Sequence, residues 1–162
     1  MRRLTAPHRP TGLERLAFRM PILLYRVHLG WLLGGRFMLI NHIGRTTGEV
    51  HRVVVEVVEH DAPTDSYVAA SGFGPRSDWY LNLRAHPQVT IQVGRRVLGV
   101  DSVPLTPEEG GELMARYAVR HGVAARKLCR FMGFEVDGSA EDYRAVGREL
   151  PFIRFVPRRV AA

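Results

Sequence analysis

The sequence predicts a small α+β barrel of five to seven mainly antiparallel strands, with a helix leading in and further helices inserted between strands. Three observations carry that expectation. Short apolar runs recur over 37–43, 50–58, 67–71, 89–93, 96–105 and 151–157, bounded by Gly, Pro or polar turn residues. Several neighbours are joined by links too short for a parallel crossover, such as GRTTGE and Gly94-Arg95. Between other runs lie stretches with helical spacing and recognisable caps.

Taken in order, residues 1–10 carry four cationic or imidazole side chains and two prolines, which reads as a flexible basic arm. Residues 11–35 read as a helical segment, with Leu13, Leu16, Ala17, Met20, Leu23, Leu24 and Val27 at helical spacing. Pro21 kinks it, and Gly34 and Gly35 end it. The remainder, 36–158, reads as the barrel domain. Phe37 to Ile43 and Val50 to Val58 form its first two strands, and Tyr67 to Ser71 follows after a loop with Pro63 and Asp65. A short helix from Asp78 to Arg84 stops before Pro87. Val89, Ile91 and Val93 then alternate, and Val97, Gly99 and Val103 alternate on the returning strand. Thr106-Pro107-Glu108-Glu109 combines an N-cap, a proline at the first helical position and a glutamate at the third. Helices are expected from Pro107 to His121 and from Val123 to Phe131, broken at Gly122 and stopped by Gly133, with another from Ser139 to Arg148. Pro151 to Pro157 closes the sheet.

At 162 residues the chain fits one domain with one core. Its net charge is +7, and 22 of its 23 cationic side chains are Arg, Lys127 being the lone lysine. Arg favours planar, bidentate recognition of phosphate and carboxylate, so the charge points to an anionic partner. Cys129 is the single cysteine, which rules out an intrachain disulfide and fits a reducing, cytoplasmic setting. The apolar run from Pro21 to Leu33 is interrupted by Arg26 and His28 and falls short of a membrane span.

The densest chemical signal is Ser71 to Pro87, SGFGPRSDWYLNLRAHP. A Gly-rich loop with Arg76 leads to Ser77, placed to cap a helix carrying Trp79, Tyr80, Asn82 and Arg84. Backbone N–H groups, a guanidinium and a flat aromatic face so placed suit an anionic ligand with a ring system. The turn Gly44 to Gly48 and the pair His51-Arg52 supply further cations and hydroxyls. If the two loops meet at one end of the barrel, Arg45, Arg52 and Arg76 concentrate positive charge there. The histidines are scattered, no zinc spacing, P-loop, GxGxxG or GxSxG is present, and no metal is expected.

In their order and separation, GGRFMLINHIGRTTGEVHR and ASGFGPRSDWYLNLRAHPQVTIQVG resemble the deazaflavin (coenzyme F-420)-dependent nitroreductase and quinone reductase family. The likeness extends through the TPEE helix start to the closing strand, from about Leu33 to Pro157. It implies a split β-barrel, flavin (FMN)-binding-like fold and a cofactor with a deazaflavin ring, a phosphodiester and a glutamate tail. The family's cofactor contacts would fall on Arg45, Thr46, Thr47, His51, Arg52, Val53 and Val54, then on Ala70, Ser71, Gly72, Trp79, Tyr80 and Asn82. Arg76 adds charge. A tyrosine in the C-terminal helical region serves some relatives as a hydrogen-bond donor on the substrate side, and Tyr143 is the candidate here, with Tyr117 second and plain packing the alternative for Tyr143. Relatives often carry a cation where this chain has Thr46 and Gly72, so charge is thinner at two expected contacts.

The implied activity is hydride transfer from reduced F-420 to a quinone, nitro compound or other conjugated small-molecule acceptor. Two alternatives stand beside it: an FMN-dependent oxidoreductase on the same fold, and a non-catalytic carrier of F-420 or an amphiphile such as a fatty acid or haem. No nucleic acid is expected, because Arg116, Arg120, Arg126 and Arg130 read as a solvated helix face. Arg15, Arg19 and Arg26 on the N-terminal helix would suit peripheral contact with an anionic membrane. A monomer or a homodimer fits the chain.

Overall fold

Nine strands and four helices make up residues 1–4 and 34–159, the part that the computed structural model describes. The helical segment expected over 11–35 lies outside the described residues except for its last two positions. Seven strands form one antiparallel sheet: β2 (Phe37–Ile43), β3 (Val50–Glu56), β4 (Glu59–Asp61), β5 (Ser66–Ala70), β6 (Gln88–Val93), β7 (Arg96–Pro104) and β9 (Phe152–Pro157). Their order is β3-β2-β6-β7-β9-β5-β4. Chain neighbours β3 and β4 therefore sit at opposite edges, and residues 57–58 carry the chain between them. Val57 N–H donates to Arg36 O on the β2 side and Val58 N–H to Val68 O on the β5 side, both at 2.8 Å. One dipeptide thus ties both edges, and the sheet must curl into a half-barrel.

The hairpin between β2 and β3 pairs Asn41 with Arg52 and His42 with His51. Period two then decides what faces inward. Met38, Ile40 and His42 share the inner face with Val55, Val53 and His51, while Asn41 and Arg52 point the other way. The inner core gathers Met38, Ile40, Tyr67, Ile91, Val100 and Phe155, closed by Trp79, Tyr80 and Leu83 of α1 (Asp78–Ala85). On β7 the alternation is as expected, but Val97 and Val103 face solvent, and Val100 and Ser102 are the buried set.

A second core lies on the outer face of β5 and β9, where Val68 and Phe152 meet α2 (Pro107–Arg120), α3 (Gly122–Phe131) and α4 (Ala140–Glu149). This explains why β5 and β9 are apolar on both faces. The start of α2 is a complete capping box: Thr106 Oγ1 accepts from Glu109 N–H at 3.2 Å, and Glu109 Oε2 accepts from Thr106 N–H at 2.8 Å. Ser139 caps α4 by accepting from Asp142 N–H at 3.1 Å. Gly122 opens α3 instead of separating two helices.

Of the basic arm expected over 1–10, Arg2–Arg3 form β1, which pairs with β8 (Phe134–Glu135). The N-terminal amine lies 2.5 Å from Asp142, and Arg3 pairs with Glu149. The rest of that arm lies outside the described residues.

Candidate functional site

Among the described residues, edge strand β3 has a hydrogen-bonded neighbour on one side only, so alternate backbone groups of residues 50–56 face outward from the described sheet. In front of that edge lies a cleft of about 1680 Å³. Its lining comes from the β2–β3 turn, β3, the loop after β5, the first turns of α1 and one side of α3. A volume of this order accommodates a cofactor larger than a drug-sized ligand.

The turn is fixed by its own backbone. Gly44 N–H donates to Glu49 O and Gly48 N–H to Gly44 O, each at 2.8 Å, and Gly48 sits at a φ of 71°. Gly44 is required by space: a Cβ there would come within 2.3 Å of Thr47 Oγ1 and 2.9 Å of His51 Nε2. Asn82 then fastens the turn to α1. Its Oδ1 accepts from Arg45 N–H at 3.1 Å and from Arg45 Nη1 at 2.9 Å, and its Nδ2 donates to His42 Nδ1 at 3.0 Å. Arg45 Nη2 also reaches Asp78 at 3.3 Å. With amide and guanidinium so engaged, Arg45 is held at the cleft instead of sweeping solvent.

The donation from Asn82 makes Nδ1 of His42 an acceptor, which requires a neutral ring with its proton on Nε2. Burial lowers the His42 pKa to about 4, helped by the neighbouring His51 and opposed by Asp78. Because the folded value lies below the unfolded one, this group's full contribution to stability is present above about pH 6.5 and is lost as pH falls towards 4. The expected loss between pH 7 and pH 4.5 is roughly 2 kcal/mol, read by urea unfolding. His42→Gln should flatten that part of the profile, and an unchanged slope in the variant would assign the loss to other groups.

Twelve of the fifteen residues expected at the site line the cleft: Arg45, Thr46, Thr47, His51, Arg52, Val53, Val54, Ala70, Gly72, Arg76, Trp79 and Asn82. Arg52 Nε donates to Asn41 Oδ1 at 3.2 Å, which steers its guanidinium along the strand face. Arg76 makes no ion pair with any described residue. Ser71, Tyr80 and Tyr143 are not brought to the cleft.

Ser71 is fully buried, and its hydroxyl is spent inside the loop, donating to Gly74 O at 2.7 Å and lying 2.5 Å from Ser77 Oγ. For the same reason Ser77 occupies the N-cap position of α1 without a side-chain capping bond. Tyr80 packs in the inner core. Tyr143 is 4% exposed in the second core, packed among helices, which is the packing alternative. Tyr117 does not line the cleft, although its hydroxyl donates to Glu56, a cleft-lining residue, at 3.4 Å. No tyrosine is among the described residues that line the cleft.

Sequence reasoning missed the α3 wall. Val123, Ala124, Lys127, Leu128 and Phe131 face the cleft from there, and Phe131 meets Phe73 of the loop edge-on at 5.9 Å. The available signal was the helical spacing of 124, 128 and 131 beside the single lysine, which marks an apolar stripe with a cation at its edge. Lys127 has no ion pair with a described residue. A Cβ added to Gly72 would meet nothing nearer than 3.7 Å, from Met132 and Phe131. Among the described residues, the cleft therefore offers a strand edge without a partner strand, an apolar wall and cations without an ion pair from three elements, a donor set that fits a planar group bearing an anionic tail.

Comparison with known proteins gives the family context. A family model described as F420H(2)-dependent quinone reductase matches residues 24–126, well over half of the chain. Over 48 residues the chain is 46% identical to an F420H(2)-dependent quinone reductase of Mycobacterium tuberculosis, a match covering 28% of this chain and 32% of that relative. The matched stretch thus spans about a third of the relative's length. Two solved structures share the fold at low identity. One is an F420-H2-dependent reductase, 20% identical with a TM-score of 0.51, covering 74% of this chain and 93% of that one. The other is an FMN-binding protein related to pyridoxamine 5'-phosphate oxidase from Nostoc punctiforme, 13% identical with a TM-score of 0.54, covering 91% and 81%.

Proposed function

Because this chain belongs to the F420H(2)-dependent quinone reductase family, we propose that it is an oxidoreductase passing a hydride from reduced F-420 to a quinone, nitro compound or other conjugated small molecule. The observation that carries the reading is the position of the cations. Arg45 and Arg52 from the β2–β3 hairpin, Arg76 from the loop and Lys127 from α3 surround one cleft beside an unpaired strand edge. When bound, the deazaflavin supplies the hydride chemistry, and the protein supplies position and electrostatics.

Each part of the cleft then has a task. Backbone groups of His51 to Val54 would receive the ring, and Trp79 would back the pocket from the inner core. Arg45, Thr46, Thr47, Arg52 and Arg76 would hold the phosphodiester and glutamate tail. Leu128, Phe131 and Phe73 would exclude water beside a bound acceptor, which would favour hydride transfer over loss to solvent. Orientation of the acceptor comes from this apolar wall, since Tyr143 lies elsewhere. Lys127 adds a cation that offsets the neutral Thr46 and Gly72.

The FMN-dependent alternative rests on those same two neutral positions, since FMN carries a shorter anionic tail. Titration of the protein with F-420 and separately with FMN, followed by tryptophan fluorescence at moderate salt, tests both. Micromolar or tighter binding of F-420 with weak binding of FMN is expected. A preference for FMN would make this a flavin enzyme, and binding of neither would leave the fold without the redox reading. A cytoplasmic monomer or homodimer completes the proposal, and membrane contact through 11–35 falls on residues outside those described. Among the described residues no helix is long and apolar enough to cross a membrane.

A further inference from the structure

His42 interrupts an otherwise apolar inner face of β2, where Met38 and Ile40 are fully buried and the imidazole is itself buried. Its polar partner is one end of the Asn82 amide, which is 4% exposed and so cannot trade a lost bond for water. The two ends of that amide are unlike. Arg45 claims the acceptor end, its N–H donating to Asn82 Oδ1 at 3.1 Å and its Nη1 at 2.9 Å, while the donor end goes to His42 Nδ1 at 3.0 Å. Turning the amide over would set Nδ2 against the two donors of Arg45 and Oδ1 against the lone pair of the ring, so all three bonds would fail together. The ring acceptor and the Arg45 donors thus select one orientation.

The ring is suited to that task because it stays neutral at pH 7. Burial, helped by His51 and opposed by Asp78, lowers its pKa to about 4. Among the described residues, the titratable groups that face it are His51 of β3, stacked with it at 5.8 Å between ring centroids, and Asp78 of α1; β6, on the other side of β2, presents Val89 and Ile91 to that face. The guanidinium beyond Asn82 has a competing partner. Asp78 lies 3.3 Å from Arg45 Nη2, and its exposed carboxylate would take over a guanidinium that Asn82 had released.

We propose that His42 is a positioning residue for the anion clamp: by accepting from Asn82 it fixes the amide, and the amide holds the Arg45 guanidinium in place for the tail of the cofactor. The part played by the tail rests on the proposed cofactor reading; the order of bonds from His42 through Asn82 to Arg45 does not. A guanidinium held in advance loses less freedom when an anion arrives, so the effect of His42 falls on a tailed ligand and spares the ring. An apolar side chain at position 42 would leave Asn82 Nδ2 buried without a partner, a cost the amide escapes only by turning away from Arg45.

The test titrates the full-length protein at pH 7 with F-420 and with a tail-less deazaflavin, followed by tryptophan fluorescence. His42→Leu should weaken F-420 by about five- to tenfold and change the tail-less ligand by less than about twofold. His42→Asn, whose Oδ1 stands where the ring has Nδ1, should recover most of that loss. In an Arg45→Ala background, His42→Leu should cost no further affinity, because the group it positions is gone. Without any ligand, 15N NMR of the parent should show His42 as the Nε2–H tautomer, with no titration between about pH 7.5 and 5.5. That measurement decides the matter where His42→Leu does not fold. An Nδ1–H tautomer, a ring that titrates in that range, equal weakening of both ligands, additive loss in the double variant, or unchanged F-420 binding in a folded His42→Leu would each overturn the inference. A parent that binds neither ligand defeats the cofactor reading and the clamp with it, whereas a parent that favours F-420 over the tail-less ring, with the same preference in His42→Leu, defeats this inference alone.

Discussion

Gly147→Ala should destabilise the protein by about 3 kcal/mol, although alanine is the better helix former by nearly 1 kcal/mol on an open helix surface. The inversion of sign comes from contact between two helix backbones. A Cβ on Gly147 of α4 would stand 2.3 Å from Gly110 O and 2.8 Å from Gly111 Cα of α2. A Cβ on Gly110 would stand 2.6 Å from Gly147 O and 2.9 Å from the Phe152 ring. Neither partner has a flexible side chain that can yield, so the helices must part, and Leu113, Met114, Val146 and Phe152 lose packing together. For a chain of this length the expected fall in Tm is about 6–12 °C. Gly122→Ala is the matched control. Its Cβ meets nothing within 4 Å, so that substitution should be neutral or slightly stabilising. Equal stability of Gly147→Ala and the parent, by thermal melting, would show that the two backbones do not touch.

Particular residues show what could be read without coordinates. The β2–β3 hairpin was legible because GRTTGE leaves no room for another connection, and the start of α2 because Thr106 to Glu109 is a local device whose bonds close within four residues. β4 was not legible. Glu59-His60-Asp61 has no apolar alternation, and it is a strand because β5 offers a free edge. On β7 the alternation was visible, but both sets contain apolar residues, so the buried set was fixed only by the neighbouring strands and the packed core. The site divides along the same line. The hairpin and loop residues that line the cleft were legible as candidates because their motifs are contiguous in sequence. The α3 wall was missed, and Tyr143 placed near the acceptor, because the faces helices turn to one another depend on contacts such as the α2–α4 crossing, which no local pattern encodes. The hydroxyl of Ser71 is a similar case: its partners Gly74 and Ser77 are near in sequence, yet only the folded loop shows the group to be satisfied.

Arg45→Ala should weaken binding of F-420 by about 10- to 100-fold while leaving a tail-less deazaflavin nearly unaffected. The range corresponds to the loss of one or two charge-assisted hydrogen bonds in a half-exposed setting. Complete loss is not expected, since Arg52, Arg76 and Lys127 line the same cleft. The guanidinium already donates to Asn82 at 2.9 Å and lies 3.3 Å from Asp78, so the substitution removes a preorganised group and not a freely moving one. Arg45 N–H still holds Asn82 at 3.1 Å in the variant, and the turn keeps its backbone bonds at Gly44 and Gly48. The stability of the fold should therefore change by less than about 1 kcal/mol, which separates a binding defect from unfolding. Comparison of the two ligands supplies the decisive contrast. Equal weakening of F-420 and the tail-less ring would place Arg45 at the ring, and unchanged binding of F-420 would remove the turn from the tail site. A large effect confined to the tailed ligand would make the β2–β3 turn the anion clamp of the cleft and leave the edge of β3 to receive the ring.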